Sequence, residues 1–153
     1  MDTLSMRRRF IALMVGLAAA PLLPFRAARA QADPFAALLK QVTGGATIRP
    51  GRVKVDTPRL ADNGHSVPLT VGVESPMTAA DHVRSITLLS ERNPRPLMAT
   101  YHLGPKAGRA EVTTRVRLNG TQRVLAVAHL SDGSYWSGTA EVEVTESACL
   151  DMS

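Results

Sequence analysis

An all-β, immunoglobulin-like antiparallel sandwich of about seven strands, entered by a short helix, is the fold that this 153-residue sequence predicts. Three observations predict it. Beyond residue 45, apolar residues recur at every second position in short runs, the period of a half-buried strand. Turn signals separate the runs at roughly even spacing: Asp62-Asn63-Gly64, Arg92-Asn93-Pro94, Gly104-Pro105, Asn119-Gly120 and Asp132-Gly133. Nowhere do strands alternate with helices, as a parallel sheet would require.

The helix is expected over residues 33–42. Asp33 is placed to cap it, Pro34 takes the first helical position, and Gly44-Gly45 stop it. Residues 52–56 alternate, and Pro58 ends them. Residues 66–74 put Val67, Leu69, Val71 and Val73 on one face, with Pro68 marking an edge or a strand beginning. The segments 83–90, with Val83, Ile86, Leu88 and Leu89, and 97–103 follow. Residues 110–118 turn Val112, Thr114, Val116 and Leu118 one way and Thr113, Arg115 and Arg117 the other. Arg115, Arg117 and Arg123 read as one solvated strand face. Residues 122–130 are more continuously apolar, as in a strand covered on both sides. Residues 135–145 close the series, with Val142 and Val144 in register and Tyr135 and Trp136 as core or sheet-face residues. Asn119-Gly120 and Asp132-Gly133 predict type I′ hairpin turns, in which both central residues need positive φ.

The first thirty residues are set apart. Arg7, Arg8 and Arg9 precede an apolar run beginning at Phe10, and Ala28-Arg29-Ala30 forms a small-residue cleavage site. This is a bacterial export signal with cleavage between Ala30 and Gln31, and Arg7, Arg8 and Phe10 fit the twin-arginine form. The apolar run is short and interrupted by Pro21, whereas a membrane span needs about 20 apolar residues. The expected organisation is therefore a signal over 1–30, a sandwich over 31–145 and a tail over 146–153. The expected location is the periplasm, with no membrane attachment after cleavage.

Removing the signal changes the charge argument. The whole chain has 18 Lys and Arg against 13 Asp and Glu; the signal holds five of the former and one of the latter, leaving 13 against 12. A net charge near +1 gives no electrostatic footprint for nucleic acid.

The tail carries the only cysteine, Cys149. It cannot form an internal disulfide, and an unpaired thiol in an exported protein is either reactive or intermolecular. No histidine lies near it in sequence, and a catalytic cysteine needs a rigidly held base and oxyanion site. A carrier needs the reverse, a nucleophilic thiol on a tether whose chemistry is done by partners. His65, His82, His102 and His129 are scattered without ligand spacing, so no metal site and no cofactor is expected.

Together these residues resemble a family. Asp62 to Pro68 as a DNGHSVP string, Val73-Glu74-Ser75-Pro76-Met77-Thr78, Asp81-His82-Val83, Glu91-Arg92-Asn93-Pro94-Arg95-Pro96, Thr114-Arg115-Val116-Arg117-Leu118, Thr121-Gln122 and Ser131-Asp132-Gly133-Ser134-Tyr135-Trp136 are similar to SoxY, the sulfur-carrier subunit of the periplasmic thiosulfate-oxidising Sox system. The resemblance implies a heterodimer with a second small β-protein, SoxZ. It implies a non-catalytic subunit whose C-terminal cysteine, here Cys149, carries sulfur intermediates between enzymes. A haem protein would load thiosulfate oxidatively, a hydrolase would release sulfate, and a sulfane dehydrogenase would act on the remaining sulfur. The tail departs from the family, which surrounds its cysteine with glycines in a Gly-Gly-Cys-Gly-Gly arm. Here the neighbours are Ser147, Ala148, Leu150 and Asp151. Glycine gives an arm its freedom, and Glu146 and Asp151 disfavour the thiolate. A second reading follows from that departure: a binding or scaffold protein with the fold and partner surface of the family and altered carrier chemistry.

Overall fold

A computed structural model describes residues 33–147. Arg7, Arg8, Phe10, Ala30, Gln31 and Cys149 lie outside the described residues.

Helix α1 (Pro34–Thr43) begins where Asp33 accepts the Phe35 N–H at 3.0 Å, and it ends at Gly44, whose φ of 63° is left-handed. The Gly45 N–H then closes the terminus on the Lys40 carbonyl at 3.0 Å. All seven expected strands form. Numbered with two others in chain order, they are β2 (Val53–Asp56), β4 (Val67–Val73), β5 (Val83–Ser90), β6 (Leu97–His102), β7 (Glu111–Val116), β8 (Gln122–Leu130) and β9 (Tyr135–Glu146).

The two unexpected strands are β1 (Ile48–Pro50) and β3 (Leu60–Asn63). Both lie along β9 and pair with it in parallel, Ile48 opposite Tyr135 and Leu60 opposite Glu143. They are three and four residues long and largely exposed, so they have no alternating apolar face to announce them. What holds them is the backbone of β9. The remaining pairings are antiparallel, as expected. The larger sheet runs β1-β9-β8-β5-β6 with β3 also on β9; the smaller runs β2-β4-β7.

The inner faces meet over one core. Val67, Leu69 and Val71 of β4 and Val112 and Val116 of β7 pack against Ile86, Leu88, Val124, Ala126, Ala128 and Val142 of the larger sheet. Each fully buried Val or Leu contributes about 1.5–3 kcal/mol relative to exposure. Val127 of β8 and Leu89 of the neighbouring β5 are as deeply buried but lie outside that cluster, and Val127 matches the two-sided covering expected of β8. The α1 residues Leu38, Gln41 and Val42 share a groove with Ser85, Thr87 and Thr100 of β5 and β6.

Pro68 stands at the beginning of its strand, as expected: it is the second residue of β4, and although β4 is the middle strand of the smaller sheet, β2 pairs with it only from Thr70 onward. At Pro68 the strand therefore has a single neighbour, β7, and its missing N–H costs no ladder bond. Asn119-Gly120 is not a hairpin turn, because it leads from β7 in the smaller sheet to β8 in the larger one. Asp132-Gly133 does join a hairpin, β8 to β9. Neither is type I′: Gly120 and Gly133 have positive φ, while Asn119 and Asp132 do not. The Gly133 N–H bonds the Leu130 carbonyl at 3.1 Å, a tight turn followed by a left-handed glycine.

Trp136 lies on the sheet, partly buried against the core. Its indole N–H donates to Ser134 Oγ at 3.0 Å, and the guanidinium groups of Arg49 and Arg52 lie 5.7 and 5.5 Å from its ring centre. Tyr135 stacks on His129 at 4.4 Å.

Candidate functional site: the root of the cysteine-bearing tail

The last strand carries the chain to the tail, and its final residues are fixed from three sides. The Glu143 N–H donates to the Arg59 carbonyl at 2.7 Å, and the Glu146 carbonyl accepts the Gly64 N–H at 2.7 Å. On the other side Thr121 Oγ1 accepts the Val144 N–H at 3.0 Å. At the last described residue, Ser147 Oγ lies 2.5 Å from Asn119 Oδ1.

Asn119 is itself seated on a polar cluster. Asn93 Oδ1 accepts the Asn119 N–H at 2.9 Å and a Gln122 Nε2 hydrogen at 3.0 Å. Asn93 Nδ2 donates to the Arg117 carbonyl at 2.8 Å. Gln122, only 4% exposed, also donates to the Gly120 carbonyl at 3.3 Å, and its Oε1 accepts the Arg92 N–H at 2.9 Å. The Arg92 guanidinium reaches the Thr121 carbonyl at 2.9 Å. Three loops are thus tied around the end of β9. The turn signals Arg92-Asn93-Pro94 and Asn119-Gly120 mark these loops in the sequence. The pairing of their side chains does not show there, because the partners stand 26 to 30 residues apart.

The cluster predicts a stability effect. Gln122→Ala takes the partner of the Arg92 N–H and one of the two donors to Asn93 Oδ1 from a buried position, at a cost of about 1–3 kcal/mol. Urea unfolding should show that loss with an unchanged slope; a variant as stable as the parent would show that the cluster is ornamental.

The arginines expected on one face are divided. Arg115 Nε donates to Ser66 Oγ at 2.6 Å on the smaller sheet, Arg117 follows β7, and Arg123 pairs with Glu91 on the larger sheet. The alternation expected within 110–118 holds, but the chain changes sheet before Arg123.

The histidines stand apart. His65 follows β3, with its N–H on Asn63 Oδ1 at 3.2 Å; His82 precedes β5, Nδ1 3.1 Å from the Thr78 carbonyl; His102 ends β6; His129 lies in β8. Among the described residues no group of three or more His, Cys, Asp or Glu could hold a metal ion. His129 is held below the ordinary imidazole value of 6.5, first by burial and then by the Arg84 charge, against a smaller opposing pull from Asp132. A depressed histidine binds protons less readily folded than unfolded. Its contribution to stability is complete above about 6.5 and is lost as pH falls through the folded value. His129→Phe keeps an aromatic ring against Tyr135 without the titration, so its stability should fall less than the parent's between neutral pH and pH 5. Parallel curves in urea titrations would contradict this.

Among the described residues no helix is long and apolar enough to cross a membrane. The described residues define a small two-layer sandwich whose last strand is tied by hydrogen bonds to neighbouring loops just before the cysteine-bearing segment. The comparisons make the assignment particular. Residues 39–149 match the family described as sulfur oxidation protein SoxY, and the chain belongs to that family.

Among solved structures, the sulfur carrier protein SoxY from Chlorobium limicola f thiosulfatophilum is similar at 24% identity and a TM-score of 0.62, covering 72% of this chain and 96% of that one. A superoxide reductase (neelaredoxin) from Ignicoccus hospitalis is similar at 20% identity and a TM-score of 0.55, covering 61% of this chain and 80% of that one. A putative superoxide reductase from Thermotoga maritima follows at 20% and 0.52, covering 65% and 89%. At these identities the likeness is one of fold. No curated protein matches the chain.

Proposed function

We propose that the chain is a periplasmic, non-catalytic sulfur carrier of thiosulfate oxidation, which holds its cargo covalently on Cys149. The observation that carries the reading is the meeting of family and geometry at one place: the family match ends on Cys149, two residues beyond the clamped Ser147. Two residues of chain reach at most about 7 Å, so the thiol leaves a fixed point and depends on partners for its chemistry. The export signal, with Arg7, Arg8 and Phe10 as its motif and cleavage between Ala30 and Gln31, supports the location.

Loading forms a bond between Cys149 Sγ and the terminal sulfur of thiosulfate. The thiol proton is released and two electrons pass to a haem protein. A hydrolase then adds water across the bond to the sulfonate sulfur, releasing sulfate and leaving a persulfide on Cys149. A sulfane dehydrogenase oxidises that outer sulfur further. A SoxZ-like β-sandwich subunit completes the carrier as a heterodimer. The test is electron accounting: thiosulfate should reduce the haem protein by two electrons per Cys149 only when this chain is present with its SoxZ-like subunit. No thiosulfate-dependent reduction would sink the reading.

One observation favours a second reading. No glycine follows Gly138, so the tail lacks the slender arm of the family. A scaffold that keeps the partner surface without loading sulfur would bind the SoxZ-like subunit and leave its thiol unmodified.

A further inference from the structure

The asparagines of the chain are Asn63, Asn93 and Asn119, and the fold treats each differently. An asparagine amide is open to attack by the main-chain nitrogen of the next residue, which expels ammonia and closes a succinimide ring. That nitrogen must carry a hydrogen, be free of other bonds and have no side chain in its path. We propose that Asn119-Gly120 is a self-modification site, at which the folded protein converts Asn119 to aspartate and isoaspartate and so loosens the anchor of its own last strand.

The selection among the asparagines is structural. Asn93 is followed by Pro94, which has no N–H. Asn63 is followed by Gly64, but the Gly64 N–H is committed to the Glu146 carbonyl at 2.7 Å. Gly64 is also buried, and Asn63 Oδ1 is held by the His65 N–H at 3.2 Å. At Asn119 these restraints are missing. Among the described residues the Gly120 N–H donates to no acceptor. Gly120 stands at a φ of 77°, and a Cβ built there would meet nothing within 4 Å, so the approach to its nitrogen is open. Ser147 Oγ donates to Asn119 Oδ1 at 2.5 Å, the oxygen on which negative charge develops as the nitrogen attacks. Asn119 Nδ2, the leaving nitrogen, is held by one long bond to the Arg92 carbonyl at 3.4 Å.

The reaction needs water alone. The Gly120 nitrogen bonds to Asn119 Cγ and gives up its proton. The Cγ–Nδ2 bond breaks, and the amide nitrogen departs with that proton as ammonia. Water then opens the ring at one carbonyl to give aspartate, or at the other to give isoaspartate, whose main chain runs through Cβ and Cγ. Nothing is oxidised or reduced. Either product disturbs the end of β9. A carboxylate replaces the amide that donated to the Arg92 carbonyl. Isoaspartate also lengthens the main chain between the Asn119 N–H, fixed on Asn93 Oδ1, and Thr121, whose Oγ1 holds the Val144 N–H. No sulfur takes part, so the site stands or falls apart from the carrier function proposed above.

The test follows the full mature chain over time at neutral pH, folded and in urea, with tryptic digestion of each sample. Trypsin isolates residues 118–123 and 60–84; mass reports the change from amide to acid, and elution separates isoaspartate from aspartate. In the folded protein residues 118–123 should convert roughly tenfold faster than residues 60–84, whose glycine nitrogen is bared only by an opening that costs about 1.4 kcal/mol. In urea the two segments should convert at similar rates. Asn119→Gln should leave residues 118–123 unchanged, which assigns the mass gain to Asn119 and not to Gln122. Converted protein, separated by its added charge, should exchange the Val144 amide hydrogen faster than fresh protein. Equal rates for the two segments in the folded protein would overturn the proposal, as would conversion of residues 118–123 only after unfolding. Unchanged exchange at Val144 in converted protein would overturn the loosening of the strand.

Discussion

Cys149→Ser is expected to abolish every sulfur adduct while leaving the sandwich and its partner binding unchanged. Cys149 is the only sulfur nucleophile in the chain apart from thioethers, and a serine hydroxyl cannot form the bond to the terminal sulfur of thiosulfate. The core is closed by residues up to Val142 and Val144, and the tail root is held through Val144, Glu146 and Ser147. Unfolding midpoints in urea should therefore coincide for parent and variant, and only the adduct should vanish. Loading that persists in Cys149→Ser would remove the thiol from the account.

Gly138→Ala is expected to give the largest loss of stability of any glycine-to-alanine change among the described residues. A Cβ at Gly138 would stand 2.2 Å from the Val53 carbonyl oxygen and 2.9 Å from its carbon. These are backbone atoms of β2, pinned by the pairing of Val53 with Val73, so no side chain can swing aside. Strand β9 would have to move, and it is paired with β1, β3 and β8 at once. Overpacking of this kind costs about 3 kcal/mol, roughly 10 °C or more in melting temperature for a domain of this size. Gly72→Ala in β4 is the control: its Cβ would meet nothing within 4 Å. Thermal melts of the two variants check the point, and equal melting temperatures would contradict it.

The Gly138 contact also shows why parts of the fold were legible in the sequence and others were not. The seven main strands announce themselves because each buries alternate side chains, as Val67, Leu69, Val71 and Val73 do, and burial is written one residue at a time. Strands β1 and β3 escape notice because backbone pairing to β9 holds them, and backbone has no letter. Pairing across sheets is equally silent. Gly138 reads as a weak spot in a strand until Val53 is placed against it, and Asn119-Gly120 reads as a hairpin until its flanking strands fall into different sheets. At the candidate site the cysteine, its place after the last strand and the missing glycines are plain in the sequence. The clamp of Asn93, Asn119 and Gln122 is not, since its members are ordinary turn residues until the fold joins them.

The most direct test of the central claim is the mass of the mature protein, bound to its SoxZ-like subunit, before and after incubation with thiosulfate and the haem loading protein. The account predicts a thiol-reducible adduct that maps to the peptide containing Cys149. An unmodified thiol, in a mixture that loads a glycine-armed SoxY, would contradict it and leave a SoxY fold kept for binding alone.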